Sequence, residues 1–264
     1  MQLSYKKRYP HEYIQTRVER IESHQLTTSV KQRRTFDYAI IATGSRTHMF
    51  ENPEREKNSY TVRYADDIHR LNEKLKDPKT KTIVVIGGGY TGVEIVATIA
   101  VRKRRDQTLL LIHGKERLFD RLSPHISDIS LQRLRRHGVE VMLDKKVTDI
   151  LPDHIQLASG EIIPSDMTIV SRGIRVNDES FHANLSFEES YQAKDAHHIY
   201  LCGDVAKHGL IATAHNAMFE GRRTGHLLAD QLQGVTNSYP PLQNRDKLAI
   251  ALGPYDGILT NGKK

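Results

Sequence analysis

Gly87, Gly89 and Gly92 stand at G-x-G-x-x-G spacing, directly behind the β-branched run Ile83-Val84-Val85-Ile86 and ahead of an apolar, helix-forming stretch. Glycines so spaced let a chain turn tightly, approach a phosphate closely and pack a helix against a strand. The helix that follows offers unpaired N–H groups and the positive end of its dipole. The chemistry this spacing can do is to hold a dinucleotide pyrophosphate; the bland alternative is a tight strand-to-helix turn with no ligand. A hydropathy window over Ile83 to Val101 also suggests a membrane span, but three consecutive glycines and Glu94 lie inside it.

Two further stretches could take part. Thr108-Leu-Leu-Leu-Ile-His113 reads as a second buried strand about twenty residues beyond the turn, where the group that reads an adenosine ribose belongs. An acidic residue there would accept from a 2′-hydroxyl, yet His113 stands in that place with Lys115 and Arg117 close behind. Cations there favour a 2′-phosphate or mark a weakened site. Farther on, His198-Ile-Tyr-Leu-Cys-Gly-Asp204 is a strand ending in Gly-Asp ahead of a helix expected over about Ile211 to Leu232. A carboxylate so placed can accept from ribose or ribityl hydroxyls; otherwise it is an ordinary helix-approach residue.

These residues need a parallel sheet to present them, and the chain can build one. Its 264 residues suffice for one large or two modest domains. The single cysteine, Cys202, excludes an intramolecular disulfide and any dithiol redox pair within this chain. The net charge of +7 is densest at Arg102 to Arg105, read as the solvated end of a helix rather than a nucleic-acid contact. No pair among the fourteen histidines has metal-ligand spacing backed by Cys or carboxylates; adjacent His197 and His198 read as structural. Met1 to Pro10 is polar and basic, so a cytoplasmic location is expected.

In order, Thr16 to Glu22 and Gln25 to Val30 alternate like strands of a small antiparallel sheet. Phe36 to Gly44 turns apolar and delivers Ala42, Thr43 and Gly44 to a sheet edge. Asn52 to Asn58 is a polar loop, and Tyr64 to Lys76 an amphipathic helix ended by Asp77-Pro78. Ser127 to His137 is a helix stopped by Gly138, followed by short strands at Val139, Val147, His154, Glu161 and Met167. Gly234 to Lys264 reads as a tail too short to be a domain.

Ala42-Thr-Gly-Ser45, the Gly87 to Glu94 turn and Tyr200 to Ala206 together resemble the two-dinucleotide-binding flavoproteins, related to the pyridine nucleotide-disulfide oxidoreductases. The similarity is closest to the type II NADH dehydrogenases and runs from about Val18 to Gly257. It implies an α/β fold: an incomplete FAD-binding domain with an inserted Rossmann-like NAD(P)-binding domain. The implied boundaries are 1–79 and 172–234 for the flavin part, 80–171 for the inserted part and 235–264 for a tail. Thr43, Gly44, Gly203 and Asp204 would then lie at FAD, and Ala214, in the helix that follows, would also be cofactor-binding. Gly87, Gly89, Gly92 and His113 would lie at NAD(P)H, and Glu94 would position the nicotinamide; no side chain need act as a catalyst.

The resemblance further implies an FAD-dependent NAD(P)H dehydrogenase passing hydride to flavin and then to a quinone or other acceptor. It also implies a homodimer, and a full-length form peripheral to the inner face of a membrane. Departures from the pattern are definite. The family's own first G-x-G-x-x-G turn has no counterpart in Met1 to Pro10, so the chain as given is expected not to retain FAD. Its membrane-lying segment would begin at Leu248 to Leu259. Where the family carries Ala-Gln-x-Ala-x-x-Gln, this chain reads Ala214-His215-Asn216-Ala217-Met218-Phe219-Glu220. These departures keep open a second reading, a nucleotide-binding relative without turnover that serves regulation or interaction.

Overall fold

A computed structural model describes residues 13–49, 58–177, 191–194, 196–206, 211–240 and 248–260. The expectations for Met1 to Pro10 and for the loop over residues 52–57 lie outside them.

The chain opens with β1 (Val18–Glu22), β2 (Gln25–Thr28) and β3 (Arg33–Thr35), an antiparallel sheet. β3 is exposed at all three residues, so no apolar alternation announces it. After β4 (Ala39–Ile41) and β5 (Ser45–Thr47) come β6 (Ser59–Tyr60), α1 (Ala65–Lys76), β7 (Thr82–Ile86), α2 (Tyr90–Ala100), β8 (Thr108–Ile112), α3 (Pro124–Arg136) and β9 (Val139–Met142). β10 (Val147–Ile150), β11 (His154–Leu157) and β12 (Ile162–Pro164) form a second antiparallel sheet, followed by β13 (Met167–Val170) and β14 (Ile174–Val176). β15 (Gln192–Ala193), β16 (Ala196–Leu201), a 3-10 turn (Gly203–Val205) and α4 (Ala214–Gln233) precede a closing hairpin of β17 (Leu248–Ala251) and β18 (Gly257–Thr260).

Two compact units result: Met1–Ser45 with Val176–Asn244, and Arg46–Arg175 with Arg245–Lys264. The second is built on a parallel sheet in the order β6-β13-β7-β8-β9. Its strands read as continuous apolar runs because both faces are covered. Ile83, Val85, Leu109, Leu111 and Ile169 meet Val93, Val96 and Leu134 of the helices. Alternate residues Val84, Ile86, Leu110 and Ile112 meet Val147, Ile150, Ile155 and Leu157 of the small sheet on the other face. In the first unit β4 lies parallel to β16, over a smaller core of Ile41, Ala193, Ile199, Leu201 and Val205.

The compact units divide at Ser45/Arg46, Arg175/Val176 and Asn244/Arg245, where the sequence reading sets 79/80, 171/172 and 234/235. Residues 58–79 belong with the central sheet because β6 pairs with β13 and Leu71 of α1 enters its core. Leu248 to Leu259, expected within the tail and as the start of a membrane-lying segment, falls in the closing hairpin, which buries Ile250 and Leu252 in that same core. A correction concerns the cationic run. Arg104 donates to the carbonyls of Leu75 and Thr80, each at 2.9 Å, and pairs with Asp106 at 3.0 Å. Its guanidinium thus answers bare carbonyls at the end of α1 instead of ending α2 in solvent.

Candidate functional site

The glycine turn leaves β7 at its carboxyl end, between β13 and β8, where the strand order of the sheet reverses. Open parallel sheets form their ligand crevice at such a point. Gly87 has φ +116° and a β-carbon there would lie 2.0 Å from the Ser171 carbonyl oxygen. On Gly92 a β-carbon would lie 1.8 Å from the Gly87 oxygen, so this glycine sets the approach of α2 to the strand. Gly88, which the spacing leaves free, would collide with Leu118 and the His113 ring.

Gly89 differs from its neighbours. Its φ is −80°, and an added β-carbon would meet nothing within 4 Å. The protein does not need this glycine for itself; bare backbone here suits a ligand that comes close. Gly89 is also the N-cap of α2, without a side-chain cap and without an acidic residue in the first turn. That helix end is left open to an anion. By contrast, α4 is capped by Thr213, which accepts from the Asn216 N–H.

Around the turn lies a cleft of about 640 Å³, bounded also by the end of β8, the loop before β10 and the segment after β13. Five cations line it, Lys115, Arg121, Lys145, Lys146 and Arg172, against one carboxylate, Asp120. Burial pushes Arg172 below its ordinary value, yet an arginine stays charged. Two buried polar atoms beside the turn, Tyr90 Oη and His113 Nε2, have no hydrogen-bond partner among the described residues. Burial holds the His113 imidazole below its ordinary value, Lys115 adds to this, and Asp120 and a bond to the Arg117 backbone oppose it. Its Nε2 is the buried, unpartnered atom, and the ring packs at the turn. His113 therefore lines the cleft with its ring laid against Gly88. Lys115 lines it too, while Arg117 donates to the Asp120 carbonyl.

In the first unit, the adjacent parallel strands β4 and β16 set Thr43 and Gly44 beside Gly203 and Asp204 at one sheet edge. Asp204 Oδ2 accepts from the Ser45 hydroxyl at 2.7 Å, which leaves Oδ1 without a recorded partner among the described residues. Thr43 is engaged with Asn177, its hydroxyl donating to the Asn177 carbonyl at 3.2 Å. The Gly203 N–H donates to Glu220 Oε2 at 2.5 Å. Glu220 is 3% exposed; burial pushes its carboxyl up to about 7, the Gly203 bond opposes this and Asp204 adds to it. Its alignment with a family glutamine does not foretell this use; it lies with Asn216 and Thr224 on the buried side of α4.

Two expected site residues stand apart from these groups. Glu94 does not line the cleft; its Oε1 accepts from the Ala251 N–H of the closing hairpin at 3.1 Å. Ala214 is the exposed first residue of α4. Conversely, Lys146, Arg121 and Arg172 reach the cleft from segments that the motif spacing does not touch. Among the described residues, no helix is long and apolar enough to cross a membrane.

Residues 5–221 match the family described as pyridine nucleotide-disulphide oxidoreductase. Apoptosis-inducing factor homolog A of Dictyostelium discoideum is 25% identical, over 85% of this chain and 63% of its own length. The 5,5′-dehydrodivanillate O-demethylase ferredoxin reductase subunit of a Sphingobium species is 28% identical, over 89% of this chain and 57% of its own length. The chain thus spans less than two thirds of either relative. A ferredoxin reductase from Rhodopseudomonas palustris shares the fold, with a TM-score of 0.78 at 21% identity over 93% of this chain and 64% of its own.

Proposed function

The chain belongs to the pyridine nucleotide-disulphide oxidoreductase family, and we propose from that premise that it binds NAD(P)H on its parallel sheet and works with FAD as an NAD(P)H dehydrogenase. The observation that carries this reading is Gly89, a glycine with open space where its side chain would be, at the uncapped start of a helix in a cationic cleft. When bound, the two cofactors supply the hydride and electron chemistry, and the protein supplies position and charge. The bare backbone at Gly89 admits a pyrophosphate, the N–H groups opening α2 donate to it, and Arg121 and Arg172 offset its charge.

In the other unit, Ser45 fixes one oxygen of Asp204, leaving the second to accept from a ribityl hydroxyl of the flavin. Glu220 steadies the turn that carries Asp204 by accepting from Gly203. Electrons leave for a quinone, which the sequence resemblance implies, or for a ferredoxin, which the names of two similar proteins suggest.

The test is calorimetric titration of the purified chain with ADP-ribose, NADH and NADPH, its flavin content read from the absorbance spectrum. Oxidation of NAD(P)H is then followed with a soluble quinone or a ferredoxin as acceptor. Failure of all three nucleotides to bind would sink the proposal. A second reading, binding without turnover, is favoured by Glu220 alone: at the position of a family glutamine it is buried and occupied by Gly203. Nucleotide binding with no oxidation in either assay, FAD supplied, would select that reading.

A further inference from the structure

We propose that the cleft selects the 2′-phosphorylated nucleotide, NADPH over NADH, and that Lys146 together with Lys115 makes the selection; this rests on the nicotinamide-nucleotide reading above. The end of the second strand of such a sheet faces the adenosine ribose, and a carboxylate there would both accept from a free 2′-hydroxyl and repel a phosphate. Here the residue that follows β8 is His113, whose ring packs against Gly88. No carboxylate stands at that position to repel a 2′-phosphate.

A second segment brings positive charge to the same place. The turn after β8 is joined to the end of β9 and the loop after it by three backbone bonds: His113 N–H to the Met142 carbonyl at 2.9 Å, Lys145 N–H to the His113 carbonyl at 2.9 Å, and Asp144 N–H to the Lys115 carbonyl at 2.8 Å. Gly114 lies close against Lys146, since a β-carbon on it would be 3.6 Å from the Lys146 Cα. Lys146 is therefore held beside the ribose end of the cleft by backbone, although it is 31 residues past Lys115 in the sequence. Lys145 is already paired with Glu161 at 3.0 Å. For Lys115 and Lys146 no ion pair is recorded among the described residues, so both ammonium groups are open to a dianion. Arg121 and Arg172, toward the glycine turn, serve the pyrophosphate instead.

The experiment measures affinity of the full chain for two pairs of probes, NADPH with NADH and 2′-phospho-ADP-ribose with ADP-ribose, at low and high salt. Wild type is compared with Lys146→Met, Lys146→Glu and Lys115→Met; Lys146 and Lys115 are exposed, and thermal unfolding checks that each variant is folded. Wild type should bind each phosphorylated probe about tenfold or more tightly than its partner, a margin that narrows as salt screens exposed charges. Lys146→Met and Lys115→Met should each cost several-fold more affinity for 2′-phospho-ADP-ribose than for ADP-ribose, and Lys146→Glu should reverse the preference. Equal or tighter binding of the unphosphorylated probes by wild type would overturn the proposal, as would a preference that both methionine variants retain. Binding of neither probe pair would instead bring down the nicotinamide-nucleotide reading on which it stands.

Discussion

The imidazole of His113 occupies the space that a β-carbon on Gly88 would need, its Cγ and Cδ2 each falling 2.8 Å from that point. The end of β8 thereby fixes a residue that the glycine motif leaves free. Gly88→Ala should cost roughly 1–3 kcal/mol, since either the ring or the turn must move in a filled core. His113→Ala made in the Gly88→Ala background should recover only part of this, because Leu118 Cδ2 lies as close, at 2.7 Å. A denaturant double-mutant cycle measures the coupling; zero coupling energy would refute the packing relationship.

The glycines of the turn should separate folding from binding. Gly92→Ala drives a methyl onto the Gly87 oxygen and should leave the 46–175 unit unfolded or strongly destabilised. Gly89→Ala meets nothing in the protein and should unfold within about 1 kcal/mol of wild type, yet lose nucleotide binding by tenfold or more. Paired melting curves and nucleotide titrations decide it. If Gly89→Ala binds as wild type does, that position is not where a phosphate approaches.

Glu220 gives the first unit a pH dependence of defined sign. Its folded value, about 7, lies above the ordinary 4.5, so the folded state holds the proton more tightly than the unfolded chain does. The stability it contributes is complete below pH 4.5 and is lost as pH rises through 7. The loss is of the order of 1–3 kcal/mol. Glu220→Gln keeps an acceptor for the Gly203 N–H and removes the titration, so its unfolding midpoint should change less than that of wild type between pH 5 and 8. Parallel pH profiles of wild type and variant would contradict the assignment.

What could be read from the sequence was whatever a residue's identity alone enforces. Ile83 to Ile86 is apolar throughout because both faces of its strand are covered, and Gly87 and Gly92 cannot be other residues without a collision, so turn and sheet were legible. The boundary after Ser45 was not: Ser59 and Tyr60 carry no mark of joining β13 from more than a hundred residues away. Lys146 was missed for the same reason, since only the bonds between the two loops bring it beside Gly114. His113 was singled out as a departure from an acidic residue, but that its ring would fix Gly88 depends on a side-chain direction that spacing does not encode.

Glu94 makes the sharpest test of spacing against geometry. Next but one after the third glycine, it was expected to position the nicotinamide; instead its carboxylate accepts from the Ala251 N–H and ties α2 to the closing hairpin. A single bond from a partly exposed carboxylate is worth about 0.5–1.5 kcal/mol. Glu94→Ala should therefore lower stability by that amount and hasten hydrogen exchange at the Ala251 amide, with nucleotide affinity unchanged. Glu94→Gln, which keeps an acceptor oxygen, should restore most of the protection. Native-state exchange and nucleotide titration of the same samples separate the two roles: an unaltered Ala251 amide together with weakened NAD(P)H binding would return Glu94 to the nucleotide site.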